Sequence, residues 1–361
     1  MTYIIGLTIT CFLIILLLLR KEKQKADYLL TVWLTVLAIH LFLSYLEDSG
    51  MAYHYPHLLG LTLPLPLLHG LFFYAYASEL TGTRILKTRL LFLHLIPFFL
   101  LVILALPFYS LSAAKKIDVF QNQGQGYEWY SRIQRIFICI SGLAYSLATW
   151  LKVKQYRKKL LNYFSNTEKK KLEWTEYSAI GLAVIWGISV FFDDPVIFSA
   201  VALFVLFIGV WGINHATVFY SGSAMEADGK PAETWPEQEK YARTGLEEEE
   251  AEKLSTRLET LMHTEKPFTD SELTLKDLSA RLQCSPNHLS QVINSRYGKT
   301  FYHYINSYRI KEFLELTALP ENKKFTFLAI AYDCGFHSKT TFNKYFKLET
   351  GKTPSEYFAF A

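Results

Sequence analysis

Hydrophobic and polar positions divide the chain into an apolar first part and a polar last part. Seven apolar stretches precede residue 215, and each is about as long as a helix that crosses a bilayer. They cover residues 3–19, 28–46, 58–80, 90–107, 133–151, 177–192 and 196–214. After residue 245 the apolar positions recur at helical spacing, which predicts short amphipathic helices. The pattern therefore predicts an all-α protein with a polytopic bundle of seven transmembrane helices and a C-terminal helical domain.

Changes in composition mark the domain boundaries. The stretch after the seventh span is rich in glycine, proline and acidic residues, which is typical of a flexible linker. We predict a transmembrane domain over 1–220, a flexible acidic linker over 221–245, a connecting helix over 246–264 and a further domain over 265–361.

The connecting helix carries a short apolar seam. Ala251, Leu254, Leu258 and Leu261 follow one another at three- and four-residue steps. Such steps are those of the a and d positions of a coiled coil. The helix therefore either pairs with a second copy in a homodimer or packs against the domain that follows it.

Positive charge in the connections predicts how the bundle is oriented. The connections after the first, third and fifth spans are basic, whereas the other three are acidic or mixed. The basic positions are Arg20, Lys21, Lys23, Lys25, Arg84, Lys87, Arg89, Lys152, Lys154, Arg157, Lys158, Lys159, Lys169, Lys170 and Lys171. Because basic loops stay inside, the N-terminus is predicted outside and the C-terminus inside. The run over 152–171 is interpreted as an orienting loop on anionic lipid rather than as a DNA-binding patch.

Residues 275–296 predict a helix-turn-helix unit. Apolar positions recur at helical spacing in both helices, and Ser285 and Pro286 are the N-cap and first-turn residue of the second one. Small polar side chains on that second helix suit insertion into a major groove. The outward positions are Asn287, His288, Ser290, Gln291 and Asn294.

Residues 326–347 repeat this plan. Gly335 is expected to cap the supporting helix, and Ser338 to begin the second one. Phe342 and Phe346 point to the core. The outward positions are Lys339, Thr340, Asn343, Lys344 and Lys347. Lysines on this face can neutralise phosphates, and the shorter polar groups can touch base edges.

The stretch 274–358 resembles the DNA-binding domain of the AraC family of bacterial transcription regulators. The resemblance rests on GFHSKTTFNKYFK at 335–347 and GKTPSEY at 351–357. It implies a domain of the seven-helix type with two helix-turn-helix units, and double-stranded promoter DNA as the partner. The family pattern implies base contacts from Asn287, Ser290, Gln291, Lys339, Thr340, Asn343 and Lys344. Two departures are Lys344, where the family usually has an arginine that forms a planar fork, and Phe358, where a basic residue is common.

Two other interpretations of the tandem pattern remain open. The polar faces are merely solvated in the first, and the repeat makes only protein contacts in the second. Two capped units that share spacing and chemistry favour DNA binding over both.

Ionisable groups inside the predicted spans are candidates for a ligand site. His40, His69 and His94 lie on three different spans, and an ionisable group within a membrane is a functional candidate by default. They are either speculative ligand-binding residues or satisfied structural groups. The outer connection over 110–132 is in the same way either a lid over a pocket or a flexible polar connection.

Composition adds two limits. Only 19% of the residues are charged and the net charge is +4, so charge alone does not argue for nucleic acid. The four cysteines have no ligand spacing, and no catalytic motif is present. We therefore expect no cofactor, no metal and no enzymatic activity.

These features together predict a membrane-anchored one-component transcription regulator. It would lie in the bacterial inner membrane, with a periplasmic N-terminus and a cytoplasmic DNA-binding domain. The bundle would sense a small-molecule or membrane signal, and an activator would also contact RNA polymerase. The alternative is a membrane transporter or receptor-like enzyme with a regulatory DNA-binding tail.

Overall fold

The computed structural model describes most of the chain outside the predicted linker. The described residues are 1–21, 23–82, 90–168, 172–192, 194–214 and 246–359. The predicted linker, 221–245, lies outside them. Within these ranges the chain is helical, with a single isolated β-bridge and no strand, so the all-α prediction is confirmed.

The chain forms two compact units. The first, here the bundle unit, comprises Met1–Gln155 and Leu172–Trp235. The second, here the reader unit, comprises Tyr156–Lys171 and Pro236–Ala361. The reader unit thus includes a segment from the middle of the chain, between two of the apolar stretches.

Eight α-helices of the bundle unit lie in the described ranges, beside a 3-10 helix at Met51–His54. They are α1 (Thr2–Leu19), α2 (Lys25–Asp48), α3 (Pro66–Leu80), α4 (Leu90–Tyr109), α5 (Ala113–Gln121), α6 (Glu128–Leu160), α7 (Glu173–Phe191) and α8 (Asp194–Asn214). Helix α1 packs against α2 and α8, α2 packs against α3, and α7 packs against α8.

Six helices in the described part of the chain are long and apolar enough to cross a membrane. They are α1, α2, α4, α6, α7 and α8. The third predicted span, 58–80, differs from its prediction because its first part forms turns and only the 15 residues of α3 are helical. Pro64 and Pro66 account for this, since proline donates no hydrogen bond and fits only the first turn of a helix.

The outer surface of the bundle unit is apolar. Large side chains such as Phe92, Ile140 and Leu203 are each at least 66% exposed. Exposed apolar side chains in this number are compatible with insertion into a membrane. The connection over 110–132 is partly helical, because it contains α5.

Seven α-helices form the described reader unit apart from the segment 161–168. They are α9 (Glu248–Thr264), α10 (Leu275–Arg281), α11 (Pro286–Tyr297), α12 (Phe301–Ala318), α13 (Phe327–Asp333), α14 (Lys339–Thr350) and α15 (Pro354–Phe358). Helix α9 lies in the predicted connecting segment, and the other six lie in the predicted domain 265–361.

Helix α12 joins two hydrophobic cores. Phe301 and Ile305 are buried in the first core, with α10 and α11. Ile310 and Phe313 are buried in the second core, with α13 and α14. Both sides of α12 are buried, and it holds the two helix-turn-helix units together.

Helix α9 packs into the first core. Leu254, Leu258 and Met262 are buried there, and Leu261 is partly buried. The apolar seam of the connecting helix is therefore covered by its own reader unit.

Candidate nucleic-acid interface

Both supporting helices begin at a threonine. Thr274 Oγ1 accepts a hydrogen bond from the backbone N–H of Asp277, and Thr326 Oγ1 accepts one from Ala329. Thr274 and Asp277 also form a reciprocal capping box. Such caps satisfy N–H groups that have no partner within the helix.

The turn after each supporting helix has the same backbone geometry. Gln283 and Gly335 have φ values of +50° and +92°, in the left-handed region. In each case the next residue donates its N–H to a carbonyl five residues back, from Cys284 to Ser279 at 3.0 Å and from Phe336 to Ala331 at 3.1 Å. Gly335 follows the C-cap, which is Cys334 rather than Gly335 as predicted.

The backbone at Gly335 is closely approached by another chain segment. A Cβ atom at this position would lie 2.5 Å from the carbonyl oxygen of Phe268 and 2.7 Å from that of Thr269. Only glycine fits both this approach and the positive φ. The turn therefore fixes the second unit against the loop that precedes α10.

Helix α11 is the first recognition helix. Ser285 Oγ accepts from the N–H of His288, and Pro286 occupies the first turn, as predicted. Gln291 and Asn294 are exposed, whereas the other outward positions predicted on this helix are half-buried. Asn294 Nδ2 donates to the carbonyl of Ser290 at 2.8 Å, which orients its side chain along the helix.

Helix α14 is the second recognition helix. Ser338 Oγ accepts from the N–H of Thr341, and Phe342 and Phe346 are buried as predicted. The predicted outward positions are exposed except for the half-buried Asn343. No ion pair with a described residue involves Lys339, Lys344 or Lys347 in the structure. This helix presents three lysines to solvent on one side.

The segment 161–168, between α6 and α7, pairs with the start of the first helix-turn-helix unit. The carbonyl of Tyr163 accepts from the N–H of Leu275 at 2.8 Å, and the N–H of Ser165 donates to the carbonyl of Leu273 at 3.2 Å. Phe164 and Thr274 form the isolated antiparallel bridge between these bonds.

The same segment also contacts α12 and the second helix-turn-helix unit. The N–H of Tyr302, in α12, donates to the carbonyl of Leu161 at 2.9 Å. Thr341 Oγ1 donates to a carboxylate oxygen of Glu168 at 2.7 Å, and Ser338 Oγ donates to the same oxygen. Glu168 therefore lies at the N-terminus of α14, where a negative charge is favourable. One short segment is hydrogen-bonded to both helix-turn-helix units.

Arg309 fixes this arrangement from inside the reader unit. It is 1% exposed, and its guanidinium donates to the carbonyls of Phe268 and Asp270, each at 2.7 Å. It also donates to the carbonyl and hydroxyl of Ser165, at 3.3 and 3.2 Å, and to Asn306 Oδ1 at 3.2 Å. Burial lowers the pKa of Arg309 to about 10, which leaves it charged at neutral pH.

Sequence reasoning did not identify Arg309. A sequence feature marks this residue, because Arg309 lies four residues from both Ile305 and Phe313 on the apolar side of α12. A charged residue at such a position is either exposed at a boundary or buried with a full set of partners.

The structure brings together two of the three histidines predicted in the bundle and places the third elsewhere. His40 Nδ1 and His69 Nε2 are 2.9 Å apart, and both side chains are buried. His94 Nδ1 lies 2.8 Å from the hydroxyl of Tyr145. No group of three metal-ligating side chains occurs within the described ranges.

Comparison with known proteins identifies the C-terminal part. Residues 278–359 match the family model of the AraC-type helix-turn-helix domain. These residues run from the supporting helix α10 to the end of α15. No curated protein and no solved structure matches the chain. The chain thus carries a DNA-binding regulatory domain of this type at its C-terminus.

Proposed function

We propose that the protein is a membrane-anchored, one-component transcription regulator. Its reader unit binds promoter DNA through α11 and α14, and its bundle unit senses a signal. The observation that carries the proposal is the pair of capped helix-turn-helix units on one central helix. Helices fixed in this way enter successive major grooves, roughly one turn of DNA apart. Unpaired lysines on α14 supply the charge that duplex binding needs.

Location in the bacterial inner membrane is supported by two independent features. The bundle unit exposes large apolar side chains along helices of spanning length. The segment 161–168 and the C-terminal domain belong to one compact unit, so they lie on the same side of any membrane. The distribution of basic residues assigns that side to the cytoplasm, with the N-terminus in the periplasm.

The connection between α6 and α7 is the route by which we expect a signal to reach the DNA. It is covalently continuous with both helices and hydrogen-bonded to both helix-turn-helix units. A change in the spacing of α6 and α7 would alter how the two recognition helices are held. Such a change needs two arrangements that a signal binds unequally. The apolar seam of α9 is buried, so a homodimer would form through DNA half-sites or another surface.

The proposal assigns no enzymatic reaction to the protein, and RNA polymerase is a partner only if it activates transcription. Genome-wide cross-linking of the full chain in the cells that make it tests the proposal. We expect enrichment at a limited set of promoters, and loss of that enrichment in a chain carrying Asn343→Ala and Lys344→Ala. Equal recovery of all genomic sequences by the unaltered and altered chains would contradict the proposal.

A further inference from the structure

The bundle unit contains an open cavity of about 710 Å³. Residues of α1, α2, α3, α6, α7 and α8 line it, together with Phe120 of α5. Its walls are mainly aromatic and aliphatic. Ligand sites of small organic molecules have this size and character, with a few polar groups that fix orientation.

The cavity has a charged end and a deep end. Glu47 and Asp48 at the end of α2, Arg135 near the start of α6 and Asp194 at the start of α8 line the charged end. Trp33 lines the deep end, fourteen residues before Glu47 on α2. At the helical rise per residue the two ends are about 21 Å apart. The cavity is therefore elongated along the bundle.

Three polar groups in the cavity wall have no hydrogen-bond partner among the described residues. They are the indole N–H groups of Trp33 and Trp186 and Nδ1 of His69. These side chains are only 2%, 6% and 7% exposed. An indole N–H can only donate, whereas His69 Nδ1 donates or accepts according to the tautomer of its pair with His40. Buried polar groups are normally bonded, so the two indole N–H groups point to an acceptor, and His69 Nδ1 to an acceptor or a donor.

The charged end carries more negative than positive groups. Three carboxylates, of Glu47, Asp48 and Asp194, line it beside the single guanidinium of Arg135. Glu47 also accepts from Thr62 Oγ1 at 2.9 Å, which holds this carboxylate in place. Glu47 is partly buried, whereas Asp48, Asp194 and Arg135 are exposed. The excess of negative charge at this end disfavours an anionic ligand, with a strength that solvent screening reduces.

We propose that this cavity binds an elongated, uncharged or cationic organic molecule, with oxygen acceptors that bond to Trp33 and Trp186. The molecule enters from the charged end, which the distribution of basic residues assigns to the outside. The role of this molecule as the signal rests on the proposed function. Binding itself is independent of DNA.

The full chain in lipid nanodiscs tests the proposal with two matched probes. The first is tritiated N-decanoyl-homoserine lactone, which is uncharged and carries amide and ester carbonyls. The second is its ring-opened carboxylate, which has the same acyl chain and one negative charge. We expect saturable binding of the lactone above the level of empty nanodiscs, and binding of the carboxylate at least tenfold weaker.

Two conservative substitutions test the proposed donors. Trp33→Phe and Trp186→Phe keep an aromatic ring and remove the N–H group, and each is expected to weaken lactone binding roughly five- to tenfold. Trp150→Phe, outside the cavity lining, is the control and should leave it unchanged. The thermal unfolding midpoint of each variant identifies any that fails to fold.

Three results would overturn the proposal. They are no saturable binding of the lactone, binding of the carboxylate as tight as that of the lactone, and equal affinities in the two folded cavity variants and the control. A chain that binds the lactone but no duplex DNA would leave the site intact and refute the proposed function. A chain that binds both independently would retain the site and remove its role as the signal receptor.

Discussion

Arg309 and Ser165 lie 144 positions apart in the sequence, yet the guanidinium of Arg309 donates to the hydroxyl of Ser165 at 3.2 Å and to its carbonyl at 3.3 Å. Ser165 belongs to the connection between α6 and α7, and Arg309 to the central helix of the reader unit. This pair joins a segment between two apolar helices to the scaffold of the DNA-binding domain. In the proposed function, this pair links the segment 161–168 to the helix that holds both recognition helices.

Replacement of Arg309 is expected to destabilise the reader unit strongly. Arg309→Leu leaves the carbonyls of Phe268 and Asp270 buried without a donor, at a cost on the order of 3 to 5 kcal/mol. Hydrogen exchange of the α12 amides in the full chain measures the loss. Arg296→Leu is the control, because Arg296 pairs with exposed carboxylates of Glu248 and Glu252 and should contribute less than about 1 kcal/mol. Equal effects of the two would show that Arg309 is not a structural centre.

The attachment of the segment 161–168 can be weakened at a single backbone group. Ser165→Pro removes the N–H that bonds to Leu273, and we expect faster exchange of the Leu275 amide, which bonds to Tyr163. Ser165→Ala retains that N–H and loses only the side-chain bonds, so its effect should be smaller. Unchanged protection of Leu275 in the proline variant would mean that the segment does not hold this amide.

Substitutions at Gln283 and Gly335, which occupy equivalent positions in the two turns, are expected to have opposite effects on stability. Gln283→Gly should stabilise the reader unit by roughly 1 kcal/mol, since a side chain at positive φ is strained. Gly335→Ala should destabilise it by more than that, because the new Cβ would meet the carbonyl oxygens of Phe268 and Thr269. The stability of each variant is measured by unfolding in denaturant, with hydrogen exchange of the α10 and α13 amides as the signal. Stabilisation by Gly335→Ala would refute the described turn.

Charge removal on α14 should change the salt dependence of DNA binding. Lys339→Ala with Lys344→Ala is expected to reduce the slope of log K against log salt by about 1 for each lysine that contacts a phosphate. The control is Lys253→Ala with Lys311→Ala, which changes the net charge equally on α9 and α12, outside both recognition helices. Identical slopes for the two double variants would remove α14 from the interface.

His303 should make the reader unit less stable at acidic pH. Burial, assisted by Lys344 and Lys299 and opposed by Glu349, lowers the pKa of His303 below its ordinary value of about 6.5. The unfolded chain therefore binds the proton more tightly, so stability falls as pH drops from about 6.5 toward the folded pKa. The unfolding midpoints of the full chain and of His303→Gln should converge at neutral pH. Acidification should lower the midpoint of the variant less than that of the full chain. An equal acid loss in both would contradict this role.

Local chemistry made much of the reader unit predictable from the sequence. Ser285, Pro286 and Ser338 carry out the capping roles that their residue types suggested, because a cap depends on neighbours within one helical turn. The buried Phe342 and Phe346 follow equally from helical spacing.

Long-range relationships were not predictable in the same way. The pairing of the segment 161–168 with residues 273–275 uses backbone groups, which carry no sequence signature. The turns before Pro66 shortened α3 although the composition of the stretch was apolar throughout. Predicting Arg309 required knowing that both sides of α12 are covered, which depends on the packing of other helices.

Selection of DNA by the full chain in lipid nanodiscs tests the central claim most directly. A random duplex library is bound at low salt, and the retained sequences are determined. We predict a bipartite motif with two half-sites about one helical turn apart, which Asn343→Ala with Lys344→Ala weakens in one half only. Retention of no duplex above empty nanodiscs, or of duplexes without a shared motif, would contradict the account.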